Sequence, residues 1–295
     1  MTYSIDQWRK KGKSFTYNGY KIFYLTEGSG EPLVLLHGFP TSSWDWHKVW
    51  DTLSQTYQTI TLDFIGFGFS DKPKTYNYSI TDQANLVEQL LFYLQIQHYH
   101  LLAHDYGDTV AQELLARQLD RHENKIISCC LLNGGLFPET HRATRTQKLL
   151  LGWFGSLVAR MFSYKRFVIS FSILFPSQSR PSEDEMHSLY DVITYNNGHE
   201  ISHLLIRYII ERQQNRNRWV TALQKAKCSL RLVNGLDDPV SGAHMVARYK
   251  ELIPGSDVIE ISGCGHYPQM EVPEKILKSY TQFRNAYPSS NNIGE

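Results

Sequence analysis

The spacing of apolar residues changes character twice along the chain and divides it into three stretches. Up to about residue 36 the runs are short and strand-like: FTYNGYKIFYLTEG carries a turn signal at Asn18-Gly19, and PLVLLHG is continuously apolar. They predict an antiparallel hairpin leading into a buried parallel strand. Strand-like and helix-like segments then alternate as QTITLD, SITDQANLVEQLLFYLQI, HYHLLAH, TVAQELLARQLD and KIISCCLLN. That alternation predicts an α/β protein with a mostly parallel, doubly wound sheet.

The rhythm breaks between about Leu136 and Leu223. A Pro-marked loop opens a run of helix-like segments, crowded with aromatics and without a convincing strand. This predicts a helical cap, residues 136–222, inserted into a core made of residues 1–135 and 223–295. The sheet pattern resumes with CSLRLVNG, a helix after Ser241, DVIEIS and a final helix from about Pro273 to Tyr287, while the tail PSSNNIGE is expected to fray.

Composition narrows the partners. Hydrophobic residues are 42% and charged residues 20% of 295, enough apolar content to bury a large core. With 30 Lys and Arg against 29 Asp and Glu, the net charge of +1 offers no broad basic surface, so nucleic acid is not an expected partner. Cys129, Cys130, Cys228 and Cys264 form no CxxC pair, which points away from zinc or a disulfide framework and toward a reducing compartment. MTYSIDQWRKKGKSF lacks the apolar centre of a signal peptide, so a cytoplasmic location is expected. The stretch LLLGWFGSLVA, 149–159, falls short of the roughly 20 residues that span a bilayer. LLLGWFGSLVARMF and FVISFSILF, with Arg and Lys around them, admit membrane association, but the expectation is a protein without it.

The chemistry sits in LLAHDYGDTVAQELLA, where an apolar strand runs through His104-Asp105-Tyr106-Gly107 into a helix. This has the form of a nucleophile elbow, a strained turn that needs small neighbours, here Ala103 and Gly107. Asp105 in the nucleophile position attacks an sp3 carbon and forms an alkyl ester. Asp is also a common helix N-cap, but three further motifs in order favour catalysis. LLHGFP puts the Phe39 N–H where it can join that of Tyr106 in an oxyanion hole. LVNGLDDP offers Asp238 as the acid, with Asp237 as an alternative. SGCGHYPQMEVPE places His266 in a Gly-rich loop as the general base.

With these residues in place, the chain resembles the α/β-hydrolase fold family over nearly its full length, in particular the aspartate-nucleophile branch of epoxide hydrolases and dehalogenases. HDYGDTVAQELLAR, NGGLFPETHR and HYPQMEVP are similar to the mesoderm-specific transcript group within that branch. The resemblance implies Asp105 as nucleophile, Asp238 as the acid that orients the base, and His266 as the base that activates water, with no metal or organic cofactor. It implies a small apolar organic substrate and leaves monomer and homodimer open.

The leaving group separates the subclasses. An epoxide oxygen needs a proton, which such family members take from cap tyrosines. Tyr164, Tyr190, Tyr195 and Tyr208 are candidates, and Tyr208 in HLLIRYIIERQ is preferred, with packing as its alternative role. A halide needs neutral N–H donors, commonly a Trp after the nucleophile and an Asn near the oxyanion hole. Tyr106 and Phe39 hold those positions, which favours epoxide over halide, although Trp153 in the cap offers one indole N–H. Trp44 or Trp46 is expected to wall the pocket. Asp108, where the family more often has Gly, has no assigned role.

Overall fold

The computed structural model describes residues 3–288, so the frayed tail expected for PSSNNIGE lies, but for its first residue, outside them. Eight strands form one sheet: β1 (Lys13–Tyr17), β2 (Tyr20–Glu27), β3 (Pro32–Leu36), β4 (Gln58–Leu62), β5 (Tyr99–His104), β6 (Ile126–Leu132), β7 (Ser229–Gly235) and β8 (Asp257–Ile261). They run in the order β1-β2-β4-β3-β5-β6-β7-β8. The β1–β2 and β2–β4 pairs are antiparallel and the rest parallel. Asn18 and Gly19 both take positive φ, 49° and 84°, as the tight turn of the opening hairpin requires.

The central strands read as continuous apolar runs because both of their faces are covered. In β3, Val34 and Leu36 enter one hydrophobic cluster while Leu33 and Leu35 enter the other; in β5, Leu101 and Ala103 oppose Leu102. Each such fully buried leucine contributes about 2 kcal/mol of transfer free energy. The helix Ile80–Tyr93 starts at Ser79, whose side chain accepts the Asp82 N–H at 3.1 Å, and packs beside the helix Tyr106–Asp120. The helices Ala243–Leu252 and Pro273–Ala286 pack against β7.

Between β6 and β7 the described residues form only helical segments, from Pro138–Thr140 to Arg216–Gln224. The last of these lies on the helix Tyr106–Asp120, where the Trp219 Nε1–H donates to Glu113 at 2.8 Å. All four cysteines are free thiols, and burial pushes those of Cys129 and Cys130 well up. No helix among the described residues is long and apolar enough to cross a membrane.

Candidate active site

The end of β5 delivers Asp105 onto a turn at φ 45°, ψ −100°, a backbone region that costs an ordinary residue on the order of 1–3 kcal/mol. The strain is maintained by close packing: a Cβ on Gly107 would come within 2.4 Å of the Leu36 carbonyl oxygen. Although Asp105 stands at the N-terminus of its helix, its carboxylate makes no capping bond. It instead accepts the backbone N–H of Phe39, Oδ2 at 3.1 Å. Tyr106 opens the helix, so its N–H has no intrahelical acceptor.

His266 faces Asp105 from the loop after β8, with Nε2 at 4.0 Å from Oδ2, and its Nδ1–H donates to Asp238 Oδ2 at 2.7 Å. Asp238 is buried and its carboxylate is satisfied on several sides: Asn133 Nδ2–H at 2.9 Å and Ser241 Oγ–H at 2.7 Å reach Oδ2, and the Val240 N–H reaches Oδ1 at 2.7 Å. Burial opposes its ionisation, but His266 and these donors overcome it and hold the carboxyl well below the usual range. Asp237, its neighbour, is exposed to solvent. The geometry brings Asp105, Asp238, His266 and Phe39 together.

The loop that carries His266 is anchored from several directions. Its carbonyl accepts the Nε2–H of His104 at 2.7 Å, and burial lowers the His104 imidazole to about 4, so that ring is neutral. The His266 N–H donates to Leu174 O at 2.9 Å. Glu271 accepts the N–H groups of Gly265 and Tyr267 at 2.8 and 2.9 Å and the Ser179 hydroxyl at 2.6 Å. Only glycine fits at 265, because a Cβ would lie 2.3 Å from Leu174 O.

Arg212, from the helix Tyr208–Gln214, is a site residue that the sequence reasoning missed. Its Nη2–H groups reach the Asp105 carbonyl at 3.0 Å and Oδ1 at 3.4 Å, and its Nε–H donates to Thr109 at 2.7 Å. Burial would raise the Asp105 pKa, but His266, Arg212 and the Phe39 N–H together hold it below the usual carboxylate range. The available signal was the i, i+4 spacing of Arg212 from Tyr208, which puts both on one helix face. Asn133 was missed as well; it opens NGGLFPETHR at φ 46° and joins Asp238 to Gly235.

Tyr208 is buried. Its ring packs against Tyr106 and Phe39, with centroids at 5.0 and 5.8 Å, and Arg212 lies 4.5 Å from its ring centre. Its hydroxyl has no hydrogen-bond partner among the described residues, and burial and then the Asp105 charge raise its pKa far above the ordinary phenol value. The other cap tyrosines are elsewhere: Tyr164 stacks on His187, Tyr190 on Phe162, and Tyr195 accepts from Arg9.

The two tryptophan expectations are corrected. Trp153 is 97% exposed on the outside of the cap, because the helix before it ends at Leu151 and the chain turns outward there. Trp44 is buried away from the site, stacked on His47 at 4.0 Å with its indole N–H donating to the Tyr3 carbonyl, and Trp46 is likewise buried outside the pocket wall. Asp108 does not cap its helix. It accepts the Leu132 N–H at 3.4 Å, and burial followed by the Asp105 charge pushes its pKa well up.

Beside His266 and Phe39 lies a cavity of about 100 Å3, walled mainly by Leu150, Val158, Phe162, Phe167 and Phe171 of the cap. Such a chamber accepts a small apolar group and provides few polar contacts to orient it.

Comparison with known proteins gives the family and the fold. The chain is 41% identical over 297 residues to the mesoderm-specific transcript homolog protein of Bos taurus, covering 96% of this chain and 89% of that one. It is 36% identical to the putative hydrolase LipZ of Mycobacterium tuberculosis, covering 92% and 94%. Among solved structures, haloalkane dehalogenase DbeA from Bradyrhizobium elkani superposes with a TM-score of 0.78 over 94% of this chain and 98% of that one; at 22% identity this likeness concerns the fold. A family model described as alpha/beta hydrolase fold matches residues 31–273, which include every strand from β3 to β8 and the elbow between them, and by that match the chain belongs to the α/β-hydrolase fold family.

Proposed function

We propose that this protein is a hydrolase that opens a small apolar epoxide to a diol through an ester on Asp105. The observation that carries the reading is the convergence on one carboxylate: the Phe39 N–H sits 3.1 Å from Oδ2, and His266 Nε2, anchored through Nδ1 to Asp238, sits 4.0 Å from the same oxygen. A carboxylate so held attacks a ring carbon; the C–O bond of the epoxide breaks and its oxygen takes a proton from Tyr208. His266 then removes a proton from water, which adds to the Asp105 carbonyl carbon. The oxyanion is held by the N–H groups of Phe39 and Tyr106 until the alkyl oxygen leaves, reprotonated by the imidazolium, and the second proton of the water, left on the Asp105 carboxyl, returns to the Tyr208 phenolate.

The electrostatics suit this order of events. Burial lowers the His266 pKa, but the Asp238 and Asp105 carboxylates outweigh it and raise it to about 9. Esterification removes the charge of Asp105, so the imidazole loses part of that support and becomes available as a base when the ester needs water. Arg212 keeps the nucleophile ionised beforehand. The proton donor in this reading is the Tyr208 phenol, a weaker acid than usual because burial and the Asp105 charge raise its pKa, and Tyr208→Phe is expected to slow ester formation about 100-fold or more. The halide reading loses its cap donor, since Trp153 points into solvent. A cytoplasmic setting suits the four free thiols.

The test is intact-protein mass spectrometry of His266→Gln after exposure to a panel of epoxides and alkyl halides. A stable adduct on Asp105 with the full mass of an epoxide supports the reading. An adduct that has lost a halide reassigns the protein to dehalogenation. No adduct in a folded variant points to a ligand-binding protein.

A further inference from the structure

The outer side of the cap differs from the rest of the surface. Leu149, Trp153, Phe154, Leu157 and Met161 are all exposed, Phe154 by 70%. They lie on the helices Arg145–Leu151 and Gly155–Arg160, which pack side by side, and on the turns that follow each. Ile169 and Ile173, one helical turn apart at the end of Tyr164–Ser172, are exposed as well. Scattered apolar residues on a surface need no explanation, but a concentration of this size marks a face that meets something.

Charge indicates what it meets. From residue 140 to residue 182 the chain holds seven Lys and Arg and no Asp or Glu, although acids and bases balance over the whole molecule. All seven basic residues, among them Lys148, Arg160, Lys165 and Arg166, are exposed, and the Arg166 guanidinium donates to the carbonyl of the exposed Met161 at 2.7 Å. The same helices turn Leu150, Val158 and Ala159 inward onto the cavity, so one layer of helix separates the outer face from the chamber beside His266. A second copy of the chain fits poorly, because a self-complementary contact would bring two stretches of the same positive charge, each free of Asp and Glu from residue 140 to 182, against one another.

We propose that this face docks on an anionic lipid bilayer. Trp153 and Phe154 enter the interfacial layer, and the lysines and arginines around them lie against lipid phosphates. With no helix suited to span the bilayer among the described residues, attachment by this face is peripheral and reversible. The proposal stands on the surface alone and does not depend on the identity of the nucleophile.

The experiment is flotation of the full chain with phosphatidylcholine vesicles, with and without phosphatidylserine. Binding is expected to the phosphatidylserine vesicles and to fall as salt is added. Trp153→Ser/Phe154→Ser/Leu157→Ser is expected to weaken it about tenfold or more, and Lys165→Gln/Arg166→Gln to weaken it and flatten the salt dependence. All five side chains are exposed, so unchanged circular dichroism and melting show that each variant folds. Failure of the wild type to float with either vesicle, or equal flotation of wild type and triple variant, overturns the proposal. A wild-type dimer that becomes a monomer in the triple variant, with no flotation, reassigns the face to self-association.

Discussion

The loop around His266 and the cap above it are built by different kinds of contact. In the loop almost every polar group is answered: Nδ1 by Asp238, the backbone N–H by Leu174, the carbonyl by His104, and the flanking N–H groups by Glu271. In the cap, the Tyr208 hydroxyl, Arg212 Nη1 and both ring nitrogens of His141 have no protein partner among the described residues, and large apolar side chains face outward. Directional bonds over-determine the loop, while the cap is held by packing, which is tolerant of shape. The difference teaches that the base is fixed by directional bonds while the wall of the cavity is set by shape, with Arg212 and Leu174 tying the two regions together.

The largest expected effect probes the core side. Asp105→Asn keeps the shape of the side chain and removes the nucleophile, and is expected to lower kcat/KM by roughly 10^4-fold or more in a variant that circular dichroism shows to be folded. Arg212→Met tests a cap residue that shares the core's directional character. It leaves the Asp105 charge buried without its cation, so a stability loss of about 3 kcal/mol is expected by denaturant unfolding. The acid limb of the kcat/KM profile should also move to higher pH, because the guanidinium helps hold the Asp105 pKa down.

A smaller effect should appear in the pH dependence of stability. The folded His266 pKa, about 9, lies above the roughly 6.5 of an unfolded chain. Its contribution is therefore complete below about 6.5 and is lost as pH rises through about 9. Melting temperature should fall over that window, and His266→Gln should flatten the fall. The smallest effect belongs to the cap exterior: Trp153→Ser is expected to change stability by less than about 0.5 kcal/mol. A loss near 2 kcal/mol would mean that Trp153 is packed, and would erase the contrast between the two regions.

The same contrast explains what could be read from the chain. Periodicity located every strand, because strands buried on both faces and amphipathic helices leave local patterns. The elbow and the His266 loop were legible for a similar reason: each needs small residues at fixed offsets from a reactive one. Arg212 was not legible, since its value comes from meeting Asp105 across 107 positions of sequence. Asn133 likewise acts on Asp238 through a contact 105 residues away. Trp153 was placed on the wrong side because helices of seven and six residues carry too few turns to define a face. Asp108 had no role readable from the chain, because its contact, the Leu132 N–H at the end of β6, exists only once the chain is folded.

The hydrogen bond from the His266 N–H to Leu174 makes the cap and the base parts of one interlock. With Ser179 gripping Glu271 on the same side, the cap cannot lift along this edge without dragging the imidazole away from Asp105. A molecule that swings open here disarms itself, so cargo must pass by another edge or wait until the door is shut before anything happens to it.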